Sequence, residues 1–524
     1  MSNLKYILPV LFFLILTSCT KDLDRSPKYG LTADVVYSTE DGYRSALAKI
    51  YGGFALTGNN GPDGDGDLGG IDEGFSSYLR NYWNLQELPT DEAVIGWNDQ
   101  TIKDFHEMDW TPADNFLRAM YSRLFYQITL ANAFIREASD EAIAGRGFSG
   151  AEAESIAGYR AEARFIRALT YYHALDLFGN TTFVTEEDPI GAFLPPQISR
   201  SELFDYIEQE CLALEDLLPA PKGNEYGRAD QAAVWMLLAN MYLNAEVYTG
   251  RDRYTDAITY SNKVIGSNQY SLDANYDHLF MADNDQASGI IFPITFDGNA
   301  TRTWGGTTYL VHAPIGGDMI AGDYGIDNPW GGLRTTKALV EKFPDPSGTT
   351  DARANFYTNG QNLDIEDIGN FRDGYAIVKW VNKTSDGAAG SNLTWVDVDF
   401  PVFRLAEAYL IYAEAVLRGG TGGTMDQALS YVNLLRERAF GNDSGNVSSI
   451  DLPFILDERA REFHWEGKRR TDLIRFGQFT TDSYLWPWKG NAANGRGVEA
   501  FRILFPIPAP EINTNPNLNQ NTGY

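Results

Sequence analysis

The chain has 524 residues, of which 44% are hydrophobic and 13% aromatic, so it can bury a large core and is not globally disordered. It carries 71 acidic against 42 basic side chains, for a net charge of −29. Such a surface repels phosphate backbones and anionic lipid head groups. This argues against nucleic acid binding and leaves neutral ligands or cations as partners.

The first residues have the pattern of a bacterial export signal. After an early cation, an apolar run from Tyr6 to Leu16 is too short to span a bilayer comfortably and predicts a signal peptide over residues 1–18. The small residues directly before Cys19 are typical of a lipobox, so we expect cleavage there and a lipid anchor on that cysteine. An ordinary signal peptide followed by a coincidental cysteine is the alternative. Cys211 lies in a helical pattern and is predicted to be a buried apolar residue.

Apolar residues recur every three or four positions in several long segments, which predicts helices. These segments are residues 113–138, 152–179, 228–248, 254–267, 401–420, 424–441 and 451–477. Consecutive segments rich in Ala, Tyr and Leu suggest tetratricopeptide-like helix pairs, so the predicted fold class is mainly α, with an α-solenoid scaffold. A generic helical bundle is the alternative, because no strict repeat period is present.

Two regions depart from this pattern and are predicted to be rich in loops. Residues from about 56 to 112 and from about 270 to 400 are enriched in Gly, Asn, Asp and Trp. The second region also holds the short strand-like runs GIIFPITF and YAIVKWVN. Loops carried by a rigid scaffold are the usual place for binding residues, so we expect the functional site there.

Three tryptophans lie in these predicted loops, each near Gly, Pro or Asn: Trp97, Trp304 and Trp330. Flat indole rings suit the apolar C–H faces of sugars, so an exposed set predicts carbohydrate stacking. Gly305 and Gly306 follow Trp304, and we expect their missing side chains to leave that ring face open. Burial of the same rings in the core is the alternative interpretation.

Acidic residues suggest cation sites without defining one. Asp63, Asp65 and Asp67 alternate as in a Ca²⁺ loop, yet the following positions depart from the EF-hand pattern. In an extended segment, Asp397 and Asp399 would point to the same side and could converge on one hard cation. Solvated loop carboxylates are the alternative.

The sequence carries no recognisable catalytic motif. The five histidines are scattered, and there is no nucleophile elbow, P-loop or dinucleotide fingerprint. Glu458, Glu462 and Glu466 are spaced to share one helix face and are the nearest candidates for a glycosidase-like carboxylate pair. Arginines lie beside them, which favours a structural ion-pair network. Paired carboxylates keep low pKa values and make poor general acids, so we predict that the chain is not an enzyme.

Several segments together resemble one family. The lipobox cysteine, RAEARFIRALTYYHALDLFG, FRLAEAYLIYAEA and RAREFHWEGKRRTDLIRFG look like those of the SusD/RagB family of Bacteroidetes outer-membrane lipoproteins. The likeness continues to the C-terminal INTNPNLNQNTGY. It implies one domain over residues 19–524, in which tetratricopeptide-like helix pairs support a loop-rich glycan-binding face. It also implies a lipid-anchored protein at the cell surface, with no known catalytic activity.

Within the family the chain is most similar to the starch-binding member. That likeness implies capture of starch or malto-oligosaccharides by aromatic stacking, and delivery to a TonB-dependent porin of the SusC type on which the protein sits as a lid. Three alternatives stay open: a glycoside hydrolase of the same pathway, a binding protein for a non-starch glycan, and a helical adaptor that binds protein only.

The resemblance also implies functional residues. The ligand-binding set is Trp97, Trp304 and Trp330 as an aromatic arc, Arg80 as a further contact, and one of Asn98, Asp99 and Gln100, since that loop is one residue shorter here. At Trp304 the family's starch-binding member has a tyrosine, so a flat ring is kept and enlarged. A Ca²⁺ site is implied at Asp285, Asp397 and Asp399, although a further ligand after Asp285 is missing.

Overall fold

A computed structural model describes residues 32–524, so the predicted signal peptide and Cys19 lie outside the described residues. Within that range the chain forms eighteen α-helices and eight short strands, and the predicted mainly α fold class is confirmed. The helices span Ala33–Val36, Glu40–Gly52, Tyr78–Glu87, Lys103–Glu107, Asn115–Glu137, Asp140–Gly145, Gly150–Phe178, Arg200–Leu214, Gln231–Leu243, Ala245–Thr249, Tyr254–Gly266, Gly306–His312, Lys337–Val340, Leu405–Leu417, Met425–Phe440, Leu452–Phe463, Arg469–Arg475 and Ala509–Thr514. The strands span Val94–Ile95, Thr181–Thr182, Gln197–Ile198, Ile290–Ile294, Leu333–Arg334, Phe356–Tyr357, Ala376–Ile377 and Phe400–Arg404.

The long helices pack against their neighbours along the chain, which gives the scaffold its paired character. Asn115–Glu137 packs against Gly150–Phe178. Further along, Gln231–Leu243 packs against Tyr254–Gly266, and Leu405–Leu417 packs against Met425–Phe440. Each pair buries the apolar stripe that the sequence predicts, because a helix stripe is stable only when a second element covers it.

The ends of these helices follow from their local sequence. The Asp114 carboxylate accepts the backbone N–H groups of Phe116 and Leu117 at 2.8 and 2.9 Å, which satisfies two free donors at the start of Asn115–Glu137. The helix Gly150–Phe178 ends at Gly179, whose φ of 70° lies in the left-handed region. The predicted stop at Gly179 is thereby confirmed.

The segment 401–420 differs from its prediction as one continuous helix. Its first part is the strand Phe400–Arg404, which pairs antiparallel with Ile290–Ile294 across a register irregularity. The helix begins only at Leu405. Long-range pairing with the run GIIFPITF decides the conformation of these residues, and a local pattern cannot reveal it.

The helix Tyr78–Glu87 lies inside a region for which the sequence predicts loops. The Ser77 hydroxyl accepts the backbone N–H of Arg80 and caps its start. Nine of its ten residues are buried, so polar side chains such as Asn81 and Gln86 face protein on every side. Tyr78, Leu79, Tyr82 and Trp83 nevertheless follow a helical spacing, so the prediction of loops here is wrong although a local signal is present.

Within residues 32–524, no helix combines the length and apolar character needed to cross a bilayer. Cys211 is buried as a free thiol on the helix Arg200–Leu214, as predicted, and burial raises its pKa.

Candidate functional site

One open cleft of about 450 Å³ brings together most of the predicted ligand-binding residues. Its lining consists of Arg80, Trp97, Asn98, Asp99, Trp304 and Trp330. Gln100, the third candidate of its loop, is exposed with a φ of 48° and does not line the cleft. The loops that carry the three tryptophans are far apart in sequence and meet only in the folded chain.

The three indole rings form a curved series with Trp330 in the middle. The ring centroids of Trp97 and Trp330 lie 6.3 Å apart, with 47° between the ring planes. Those of Trp330 and Trp304 lie 6.2 Å apart, with 54° between the planes. All three rings are half-buried, so the alternative that they belong wholly to the core is wrong. Each step along the series turns the aromatic surface by a similar angle.

The central ring is held from below and from the side. His312 stacks under Trp330 with 4.7 Å between centroids, and its Nδ1 lies 2.7 Å from the Asn328 carbonyl oxygen. Burial lowers the pKa of His312, which favours the neutral imidazole. The Trp97 indole N–H donates to the Trp330 carbonyl at 3.4 Å and links two rings of the series. The Trp330 indole N–H itself has no acceptor within residues 32–524 and is open to solvent.

Glycines around the cleft allow close packing rather than open ring faces. A Cβ on Gly332 would lie 2.2 Å from the Trp97 ring, so only glycine lets that indole rest on the backbone. A Cβ on Gly305 would lie 1.8 Å from the Ser77 hydroxyl, at the start of the helix Tyr78–Glu87. Gly306 has a φ of 58° and faces the Phe296 ring. The expectation that Gly305 and Gly306 expose Trp304 is therefore replaced by a packing reason.

Arg80 contributes an incompletely used cation to the cleft. Its side chain is 7% exposed, and its guanidinium lies 4.5 Å from the centre of the Tyr309 ring. One terminal nitrogen donates to the Gly74 carbonyl at 2.8 Å. Within residues 32–524, Nε has no partner, and Arg80 forms no salt bridge. Nε is enclosed, so the nitrogen that a ligand could reach is Nη2, which has no acceptor in residues 32–524 and is not enclosed.

Trp304, at one end of the series, contacts two further residues. Its indole N–H donates to the Asp63 carboxylate at 3.2 Å, which ties the ring to the loop of residues 57–75. Its ring centroid lies 4.4 Å from that of Trp395, a half-buried tryptophan. Sequence reasoning missed Trp395, although it has the same signal as the other three: a tryptophan in a polar loop.

The predicted Ca²⁺ ligands do not form a cage. The oxygens of Asp285, Asp397 and Asp399 do not all come within 4.8 Å of one another; in residues 32–524 only Asp104, Glu107 and Asp109 do so. Two of these carboxylates already accept hydrogen bonds from the protein. Asp399 accepts from the Tyr226 hydroxyl and the Phe296 N–H. Asp397 accepts from the Gly298 N–H and the Ser391 hydroxyl. Burial raises the pKa of Asp399 to about 7, with smaller contributions from the two neighbouring carboxylates. Carboxylate oxygens are ligands that Ca²⁺ prefers, but these three are not close enough together to surround one ion. Calcium binding at Asp285, Asp397 and Asp399 stays a prediction.

The carboxylates that a hydrolase would need are locked in ion pairs. Glu458, Glu462 and Glu466 are almost fully buried, and Glu466 lies beyond the end of its helix at Phe463. Arg461, one of the arginines expected from the sequence, pairs with Glu458. The other partners come from elsewhere in the chain: Arg353, Lys379, Arg404, Arg436 and Arg438. Burial alone would raise the pKa of Glu462, but the surrounding guanidinium groups hold it well below its usual range. The predicted ion-pair network is confirmed, and these groups are poor general acids.

A helix-pair scaffold that carries an open cleft lined by indole rings defines the class of a binding protein. Comparison with known proteins agrees with this class. The sequence profile of the SusD family matches residues 350–524. The starch-binding protein SusD of Bacteroides thetaiotaomicron is 38% identical over 558 aligned positions, which cover 97% of this chain and 96% of that protein. A SusD-like protein of Bacteroides ovatus is 23% identical over 90% of this chain and 82% of its own length.

The chain therefore belongs to the SusD family. Solved structures agree on the fold. A SusD-like protein from Bacteroides fragilis aligns with a TM-score of 0.71 at 18% identity, covering 95% of this chain and 100% of that one. A surface glycan-binding protein A from Bacteroides thetaiotaomicron, in complex with laminarihexaose, aligns with a TM-score of 0.69 at 21% identity, covering 92% and 99%.

Proposed function

We propose that this protein captures α-glucans of the starch type on the aromatic cleft at the cell surface. It then delivers them to a TonB-dependent outer-membrane transporter of the SusC type. The observation that carries the proposal is the curved series of half-exposed indole rings around one open cleft.

The turn between successive rings favours a coiled ligand. Neighbouring planes differ by 47° and 54°, so a chain that stacks on all three must bend as it passes. An α-1,4-linked glucan coils and presents successive sugar faces along an arc, whereas a flat ribbon of sugars would meet only one of these rings. The relative that is 38% identical is a starch-binding protein, which supports the same ligand class.

Polar groups beside the rings suit sugar hydroxyls. Arg80 Nη2 and the Trp330 indole N–H are donors without acceptors in residues 32–524, and Asn98 and Asp99 line the same cleft. Carbohydrate hydroxyls both donate and accept, so a mixed set of this kind fixes the orientation of a stacked sugar.

The expected affinity is modest. By analogy with the stacking of bases on aromatic rings, each indole contributes about 1–2 kcal/mol after ordering costs. Three such contacts correspond to dissociation constants between tens of micromolar and millimolar. Weak binding suits a protein that must release its ligand, and many copies on a surface recover avidity for a polymer.

Surface location and transfer rest on the sequence. The lipobox at Cys19 supports a lipid anchor, and membership of the SusD family supports a partner transporter. Co-purification of the full chain with a SusC-type porin from detergent-extracted membranes tests this part, and a chain that never associates with such a porin would contradict it.

Affinity electrophoresis in gels containing starch tests the cleft itself. We expect wild-type protein to be retarded and Trp304→Ala and Trp330→Ala to migrate as in starch-free gels. Trp235→Ala is the matched control, because Trp235 is a half-buried indole on the helix Gln231–Leu243, bonded to Glu215 and outside the cleft. If both cleft variants are still retarded like the control, the cleft is not the starch site.

A non-starch glycan is the second candidate. A fold neighbour was solved in complex with laminarihexaose, which is also a chain of glucose units. A glycan array on protein lacking residues 1–19 separates the two. The proposal predicts the strongest signals on α-1,4-linked glucans, and a preference for β-linked chains would replace it with the second candidate.

A further inference from the structure

A fourth tryptophan continues the curved series. Trp395 lies 4.4 Å from Trp304 between ring centroids, with 59° between the planes. The preceding steps have angles of 47° and 54° between the ring planes, so this contact is of the same tilted kind. The four rings follow one another as Trp97, Trp330, Trp304 and Trp395.

The loop that carries this ring is held in place. The Asn392 side-chain oxygen accepts the N–H groups of Thr394 and Trp395 at 2.9 and 3.1 Å. The Asp327 N–H donates to the Leu393 carbonyl at 3.1 Å, and the Thr394 hydroxyl donates to the Asp327 carboxylate. Asp327 also belongs to the loop that leads to Trp330, so these hydrogen bonds join the two loops.

The end of the series presents surface that nothing covers. Trp395 is half-exposed, and its indole N–H has no acceptor within residues 32–524 and is open to solvent. Leu393, two residues earlier, is 46% exposed. An apolar face with a free donor at its edge has the composition of a sugar-stacking surface.

We propose that Trp395 and Leu393 form an additional sugar-binding subsite beyond Trp304, so that the protein favours glucan chains long enough to reach it. This inference rests on the proposed function, because it extends the same binding surface. It predicts a dependence on chain length that the three-ring cleft alone does not require.

A purely supporting role for Trp395 makes a different prediction. If the ring only holds Trp304 in position, its loss weakens short and long ligands alike. If it contacts a sugar, its loss weakens only ligands that extend past Trp304. Titration with two chain lengths therefore separates the roles.

The experiment is isothermal titration calorimetry with maltotriose and maltoheptaose on wild type, Trp395→Ala and Trp395→Leu. The leucine keeps apolar packing against Trp304 without a flat ring, and circular dichroism checks the fold of each variant. We expect wild type to bind the longer chain more tightly. Both variants should lose about tenfold in maltoheptaose affinity while maltotriose affinity stays within about twofold.

Equal losses on both ligands in Trp395→Ala, or unchanged maltoheptaose affinity in both variants, overturn the subsite. If Trp395→Ala does not fold, Trp395→Leu alone decides by the same criterion. Wild type that binds neither sugar overturns the proposed starch function and the subsite together, so the two failures are distinguishable.

Discussion

The segment of residues 458–466, which ends the helix Leu452–Phe463, and the cleft around Trp330 place unusual side chains in opposite surroundings. In the first region, charged groups that normally face water are buried: Glu462 is fully buried and contacts Arg353, Arg404 and Arg438. In the second, indole rings that normally lie in the core are half-exposed. Both regions break the usual rule that apolar groups lie inside and charges outside.

The difference lies in where the partners are. The buried carboxylates find their partners within the chain, so their role is complete in the folded protein. The indole rings and Arg80 leave faces and donors unused, so their role requires something from outside. Polar groups that find their partners within the chain thus mark the scaffold, and groups that lack such partners mark the binding surface.

The largest expected effect comes from removing one charge of the buried network. In Glu462→Gln, three arginines lose a common counter-charge while the side-chain volume is kept. Breaking a buried ion pair costs about 3–5 kcal/mol of unfolding free energy. Guanidinium denaturation followed by circular dichroism measures it. Asp318→Asn is the matched control, because its pair with Arg372 is exposed and its loss should leave the midpoint unchanged. Equal midpoints for the two variants would refute the structural role of the network.

Arg80 sharpens the comparison, because it is a buried arginine without a carboxylate partner in residues 32–524. Arg80→Met keeps the apolar stem and removes the donors. We expect about a tenfold loss of maltoheptaose affinity, since hydrogen bonds from charged groups are worth about 1.5–3 kcal/mol. Calorimetry measures this loss, with thermal unfolding as the control for stability. Affinity equal to that of wild type would remove Arg80 from the binding site.

Glu87 and Glu92 are two buried acids that face each other, in contrast to the carboxylates of residues 458–466, which face cations. Glu87 accepts the N–H groups of Gly467 and Lys468 through one oxygen, and its other oxygen has no donor. Burial is the main cause of the raised pKa at both residues. The pKa of Glu87 lies well above its usual range, and the carboxyl of Glu92 adds to this rise. The pKa of Glu92 is raised to about 7, and Asp91 adds to that rise. Above the ordinary pKa of a glutamate, the folded protein therefore still holds a proton that the unfolded chain has released.

Because the pKa of these carboxyls is raised in the folded protein, its stability depends on pH. The stabilisation is complete below the unfolded pKa near 4.5 and is lost as the pH rises through about 7. Glu87→Gln supplies a permanent donor, so the unfolding free energy of the variant should rise relative to that of wild type as the pH increases from about 4.5 through about 7. Paired denaturation curves across this range measure the gain. A constant difference between the two proteins at every pH would contradict a shared proton.

The smallest expected effect concerns the hydrogen bond between Trp304 and Asp63. Both groups lie at the surface, so Asp63→Ala should weaken glucan binding by no more than about threefold through a less ordered ring. Asp65→Ala, in the same loop, is the control. Calorimetry that finds a loss as large as that of Arg80→Met would assign Asp63 a direct contact with the ligand.

Local pattern predicts the scaffold well and the site only in part. The helix Met425–Phe440 and the stop at Gly179 follow from periodicity and a left-handed glycine, both of which are local. The helix Tyr78–Glu87 has a local period of apolar residues as well, but it lies in a region whose Gly, Asn and Asp content predicts loops. Arg80 lies on that helix and entered the predicted set through family resemblance rather than through its own pattern.

Among the cleft residues, polar Gly-rich surroundings were enough to predict Trp97, Trp304 and Trp330. Their order and angles depend on contacts between distant loops, which no local pattern contains. The same limit applies to Gly305, whose role is set by Ser77 at the start of another element.

A crystal structure of the protein with maltoheptaose would show directly whether the glucan lies on the indole rings of the cleft. The account predicts consecutive glucose rings stacked on Trp97, Trp330 and Trp304, with Arg80 bonded to a sugar hydroxyl. Density for the glucan at another place, for example in the groove lined by Phe125 and Phe193, with the cleft rings uncovered, would contradict it.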